Sequence, residues 1–76
     1  MKEVLVYIAR GIVDDPDAVE VEEEEGDGVL RLILTVAPDD RGKVIGRGGR
    51  TIRAIRDVMR AAATRTGANV QVEIVG

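Results

Sequence analysis

An α+β fold, in which a three-stranded mixed sheet carries helices packed on one face, is predicted by three features of this sequence. Apolar residues recur at helical spacing in two segments, they alternate with polar residues in two others, and glycine-rich or Asp-Pro clusters separate the segments. The element order that follows is α-β-β-α-α-β over residues 1–76, a length with room for one domain and one core.

Val4, Leu5, Ile8 and Ile12 predict an amphipathic helix from Lys2 to about Val13, ended by Asp14-Asp15-Pro16-Asp17. Val19 and Val21 alternate with Glu20 and Glu22, the period of a half-buried strand with its acids in water. Glu23 to Asp27 read as a solvated hairpin end, not a metal site, and Gly26-Asp27-Gly28 supplies the positive-φ positions of the turn. Val29 to Val36 is apolar apart from Arg31 and Thr35, the pattern of a strand covered on both sides or flanked by neighbours, which places it at the centre of the sheet. Pro38-Asp39-Asp40 marks a turn and a helix start, where an aspartate can accept free backbone N–H groups, and a short helix through Ile45 follows. Beyond a glycine cluster, Ile52, Ile55, Met59, Ala62 and Ala63 share one arc of a helix and Arg53, Arg56 and Arg60 occupy the adjoining arc. Gly67 closes this helix as its left-handed residue, and Val70, Val72 and Ile74 alternate with Gln71 and Glu73 in a last strand. The helical connection between the second and third strands implies a parallel pair, whereas the hairpin makes the first two antiparallel.

Composition narrows the function. With neither cysteine nor histidine, no thiolate or imidazole metal site can form, and no nucleophile triad can be assembled, so catalytic residues, cofactor and metal are all expected to be absent. The start of the chain is neither a signal peptide nor a membrane span, and a cytoplasmic protein with no membrane partner is expected. A net charge of −3 conceals a strong asymmetry. Residues 1–40 carry 3 basic and 12 acidic side chains, whereas residues 41–65 carry 8 basic ones against Asp57 alone. The basic segment suits an anion; the alternative is an ordinary solvated helix face.

Within that segment the most informative run is Gly42-Lys43-Val44-Ile45-Gly46-Arg47-Gly48-Gly49-Arg50-Thr51-Ile52. Three glycines among four residues let the backbone turn sharply and approach another chain without side-chain obstruction. The start of the following helix leaves N–H groups that favour a phosphate, and Arg47, Arg50 and Lys43 add charge-assisted donors. Other glycine motifs fail on spelling: a Walker A loop lacks its lysine at Arg50 and its first glycine at Val44, and a dinucleotide fingerprint would need glycine at Thr51. A mere helix-to-helix turn would need only one glycine and has no use for the flanking arginines.

Val44-Ile45-Gly46-Arg47-Gly48-Gly49-Arg50-Thr51-Ile52 resembles the signature of KH domains, in which an Ile-Gly-x-x-Gly loop joins two helices and clamps about four nucleotides. The element order is similar to the type II KH arrangement of bacteria. In length, and in the segments Tyr7-Ile8-Ala9 and Asp15 to Val19, the chain resembles the small stand-alone bacterial KH proteins of the KhpA type. The resemblance implies single-stranded RNA as ligand, its backbone held by Gly46, Arg47, Gly48 and Gly49. Its bases would lie in an apolar groove walled by Ile45 and Ile52, with Arg50 and Arg53 near the rim, while Lys43 stays beside the loop with the phosphate donors. Ile45 and Ile52 could equally be core residues, and Arg56 and Arg60 read as solvated or partner-facing. With Tyr7 the sole aromatic, stacking of the RRM kind is excluded, which predicts modest affinity and loose sequence choice. The resemblance further implies an RNA chaperone or post-transcriptional regulator, connected in some bacteria with cell shape. Its partner would be a second copy or a larger KH-containing protein of the Jag type. A module whose main role is such pairing is the rival reading.

Overall fold

The computed structural model describes residues 1–65, 67 and 69–75. Among them the order is α1 (Lys2–Ile12), β1 (Glu20–Gly26), β2 (Val29–Thr35), α2 (Arg41–Ile45), α3 (Arg50–Thr64) and β3 (Asn69–Val75), the order expected from the sequence. Single 3-10 turns at Pro16–Ala18, Pro38–Asp40 and Arg47–Gly49 lie in the connections.

Helix α1 buries Leu5 and Ala9 one turn apart, and Met1, Ile8 and Ile12 pack beside them. It stops at Val13, whose extended backbone (φ −84, ψ 160) leads toward Pro16, a residue that cannot continue a helix. Strand β1 runs on through the acidic segment to Gly26, longer than the alternation of Val19 and Val21 indicates. The acids follow because each position from Glu20 to Gly26 has a backbone partner on β2, while the glutamate side chains stay in water and only Val21 packs toward the core. Asp27 (φ 54) and Gly28 (φ 77) form the two-residue turn, both left-handed, as a tight hairpin requires.

Strand β2 lies between β1, antiparallel, and β3, parallel. Leu30, Leu32 and Leu34 are buried while Val29, Arg31, Ile33 and Thr35 remain half-exposed. Of the two explanations for its apolar run, flanking by neighbours is therefore the operative one, and helices cover one face only. On the open face Arg31 bridges Glu24 of β1 at 3.3 Å and Glu73 of β3 at 2.6 Å. The Glu73 hydrogen bond raises the Arg31 pKa further above its usual value. All members of this bridge are solvent-accessible, so it aligns the strands more than it stabilises them.

The core is aliphatic, with Leu5, Leu32, Leu34, Val44 and Met59 fully enclosed. Ile55 and Ala63 join them from α3 as its periodicity predicts, while Ala62 is only half-buried. Gly67 has φ 71, and its N–H returns to the Thr64 carbonyl at 3.3 Å, which closes α3 as expected.

Asp40 departs from expectation. No side chain caps α2, and the Asp40 carboxylate, 3% exposed, turns back to accept the N–H groups of Asp14 at 3.2 Å and Asp15 at 3.1 Å. It closes the connection after α1 instead of starting α2, because those two amides would otherwise be left unpaired in a partly buried place. Asp40→Ala is expected to cost about 1–3 kcal/mol in urea unfolding, with Asp40→Asn, which keeps one acceptor oxygen, losing less.

Candidate nucleic-acid interface

The glycine loop is built at the end of α2. Gly46 takes φ 75 and ψ 167, a region open essentially to glycine, and its N–H reaches the Gly42 carbonyl at 2.8 Å. A Cβ there would overlap the Thr51 hydroxyl and stand 2.8 Å from the Thr51 backbone nitrogen. Gly48 (φ 65, ψ 17) and Gly49 (φ 77, ψ 17) are both left-handed, yet a Cβ on Gly48 would meet nothing within 4 Å. Gly46 is thus required by packing, while Gly48 keeps the tip of the loop bare.

The N–H groups divide unevenly. That of Gly49 is directed to the Gly46 carbonyl at 3.1 Å and that of Arg50 to Arg47. Among the described residues, the N–H groups of Arg47 and Gly48 have no acceptor, and no side chain caps the start of α3. The donors lie at the tip of the turn as well as at the helix start, where the sequence places them.

Five of the expected site residues, Gly46, Arg47, Gly48, Gly49 and Arg50, gather at this bend. Arg47 and Arg50 are exposed and, among the described residues, form neither an ion pair nor a side-chain hydrogen bond. Arg53 is exposed too, but its Nη2 donates to the Gly48 carbonyl at 2.9 Å, so it braces the loop from one turn further along α3. Lys43 is held by the Asp14 carboxylate in the connection after α1, a hydrogen bond that raises the lysine pKa. Ile45 is half-buried against the core, and Ile52, 7% exposed, belongs to the core. Of the two isoleucines only Ile45 presents surface beside the loop.

Arg56, read from the sequence as solvated or partner-facing, meets a strand edge that the sequence did not indicate. Its Nε and Nη2 donate to the Val72 carbonyl at 3.4 and 3.2 Å, spanning from α3 to the outer edge of β3. A shallow groove of about 390 Å³ lies there, lined by Arg56, Arg60 and the 69–73 segment of β3. The spacing of Arg53, Arg56 and Arg60 marks a common helix face, but nothing in the spelling indicates that the middle one meets a strand edge. Among the described residues no cluster of acids is arranged to hold a metal ion, and no helix is long and apolar enough to cross a membrane.

A mixed sheet in this order, backed by two helices joined through an Ile-Gly-x-x-Gly bend, defines a KH domain of the type II arrangement. The sequence profile of the KhpA/KhpB KH domain matches residues 2–74, and the chain belongs to that family. It is 49% identical over 75 residues to the RNA-binding protein KhpA of Clostridium acetobutylicum, covering 99% of this chain and 100% of that protein. The proteins of the same name from Halalkalibacterium halodurans and Chlamydia trachomatis are 45% and 44% identical, covering 99% of this chain and 99% and 96% of theirs. Among solved structures, that of APE1850 superposes with a TM-score of 0.68 at 25% identity, covering 99% of this chain but 49% of that one.

Gly46 and Gly48 have roles that are separable by experiment. Gly46→Ala is expected to destabilise the fold by about 2 kcal/mol or more, because a side chain has neither a permitted backbone nor space. Gly48→Ala should lose only roughly 1 kcal/mol, the left-handed penalty alone. Thermal unfolding of the two variants side by side measures the difference.

Proposed function

We propose that this protein binds single-stranded RNA by seating the sugar-phosphate backbone on the Gly46 to Gly49 bend, without catalysis. The observation that carries this reading is the pair of unengaged N–H groups at Arg47 and Gly48, flanked by the unpaired guanidinium groups of Arg47 and Arg50. Oriented amides beside fixed positive charge suit phosphate oxygens, and a bare Gly48 lets a polynucleotide pass close to the chain. Ile45 supplies the apolar wall, Arg53 holds the bend in shape, and Lys43 contributes once it exchanges Asp14 for a phosphate. The groove beside Arg56 and Arg60 lies along the same helix and gives the strand a path toward the edge of β3. The relatives named RNA-binding protein KhpA support the same ligand.

Few phosphates are engaged, so one domain binds weakly and gains from a second module on the same RNA. That module is a second copy or a larger KH-containing protein of the Jag type, and the pair acts in the cytoplasm as an RNA chaperone or post-transcriptional regulator. A role confined to protein pairing would leave the bend without purpose.

Replacing Arg47 and Gly48 together by aspartate should abolish binding of unstructured ribo-oligomers while the circular dichroism spectrum stays that of the parent. Asp tolerates the left-handed backbone, and open space surrounds Gly48. Retained RNA binding in this folded variant would overturn the proposal. Salt titration sorts the arginines: with about three phosphates neutralised, the log–log slope is about −2, and Arg47→Ala or Arg50→Ala should each flatten it by about 0.7. Arg53→Ala should weaken binding with a smaller change in slope, since its guanidinium is engaged by the Gly48 carbonyl.

A further inference from the structure

The outer edge of β3 carries an arginine where an open strand would offer an acceptor. β3 ends the sheet, so alternate residues turn an N–H and a C=O away from β2 with no further strand to meet them. Val72 is one of these, because its carbonyl receives Nε of Arg56 at 3.4 Å and Nη2 at 3.2 Å. A carbonyl oxygen has two lone pairs, and the fork of the guanidinium engages both. The next outward carbonyl is two residues along, roughly 7 Å at the rise of a strand, too far to serve a group seated at Val72.

Arg56 is pinned by this contact. It is half-buried, and two of its five N–H donors are engaged, which leaves three beside the groove that it lines with Arg60 and the 69–73 segment of β3. The Val72 N–H points to the same side of the strand as its carbonyl. A planar ligand at this point of the edge therefore meets donors from both the strand and the guanidinium, while the acceptor between them is covered. Without Arg56 the same residue would present one donor and one acceptor side by side.

Purines tell these two patterns apart. Adenine sets its N6 amino group, a donor, beside the N7 acceptor, whereas guanine sets two acceptors, O6 and N7, side by side. A donor next to an acceptor suits adenine. Adjacent donors suit guanine and leave the adenine amino group facing hydrogens. Arg56 stands about 9 Å beyond Arg50 along α3, so a strand held at the bend reaches the groove within the four nucleotides that such a loop clamps.

We propose that Arg56, by covering the Val72 carbonyl, makes the edge of β3 select guanine over adenine at the nucleotide seated there. The inference rests on the reading that RNA is gripped at the Gly46 to Gly49 bend, and it gives that site a base preference. The guanidinium is fixed before the base arrives, so its charge-assisted contacts form with little loss of freedom. Arg60, exposed and paired with Asp57 at 3.4 Å, adds charge to the groove but no fixed geometry. One selective position is compatible with loose choice along the rest of the strand.

The test is titration of the full chain, at low salt, with tetraribonucleotides of uridine in which one residue, at each position in turn, is adenosine, guanosine or inosine. Inosine keeps O6 and N7 but lacks the 2-amino group of guanosine. At one position guanosine and inosine should both bind about tenfold more tightly than adenosine. Arg56→Met, which uncovers the Val72 carbonyl, should turn the preference toward adenosine. Arg56→Lys, which donates without a fork, should bring the ratio close to one. Each ratio is taken within one variant, so a general loss of stability or affinity does not alter it. A wild type that prefers adenosine overturns the proposal, as does a guanosine preference that inosine does not share or that Arg56→Met leaves in place. Equal binding of all the tetramers would remove the base preference and leave the RNA reading standing, whereas binding of none would remove both.

Discussion

The bend between α2 and α3 depends on the absence of a side chain at Gly46. Thr51, in the first turn of α3, packs where a Cβ would stand, so the two helices can approach only as closely as a bare α-carbon allows. With that approach fixed, the chain has three residues in which to reverse, and Gly48 and Gly49 do so in the left-handed region. Two amides are left at the tip because the reversal is too tight for them to find acceptors within it. Arg53 then holds the Gly48 carbonyl from behind, which keeps the exposed peptide groups oriented before any ligand arrives. Packing at one glycine and openness at the next are parts of a single geometric solution.

The electrostatics follow the same layout. β1 is one edge of the sheet and β3 the other, with α1 packed on β1 and α3 on β3. The acidic run of β1 and the arginines of α3 consequently belong to opposite sides of the domain, and at physiological ionic strength charges more than about 8 Å apart are largely screened from each other. A chain with a net charge of −3 can thus present a positive surface to a polyanion. The acids at β1 discourage adhesion elsewhere on the molecule, and Arg31 draws the three strands together on the face opposite the helices.

What could be read from the sequence was what period and glycine spelling encode. Leu30, Leu32 and Leu34 lie within an apolar run whose place at the centre of the sheet follows from composition alone, and Ile55, Met59 and Ala63 announce their buried face by spacing. The bend was legible because Gly46, Gly48 and Gly49 have few other reasons to stand together. Partners distant in the chain were not legible. Asp40 resembled a helix cap because aspartate before a helix usually serves its own helix, whereas here the amides of residues 14 and 15 lie within reach. The Asp14 carboxylate that Lys43 meets and the Val72 carbonyl that Arg56 meets were hidden for the same reason: local spelling carries no record of either. Ile52 shows a further boundary, since a wall of the core and a wall of a groove demand the same side chain.

These distant contacts explain how so short a helix as α2 can hold the glycine loop. Five residues are fewer than an isolated helix needs in water, so α2 exists only as it is fastened. Asp40 fastens its start to the connection after α1, Val44 anchors its middle in the core, and the Gly46 to Thr51 contact sets its end. Lys43 projects from the same helix toward Asp14, where both groups are substantially exposed and the pair adds little to stability. A weak pair at that place suits the proposed phosphate contact: it keeps the ammonium beside the loop, and exchanging a carboxylate for a phosphate would not require a buried charge to be uncovered. The strong fastenings of α2 are therefore buried or built into the backbone, while its exposed cation stays available for exchange.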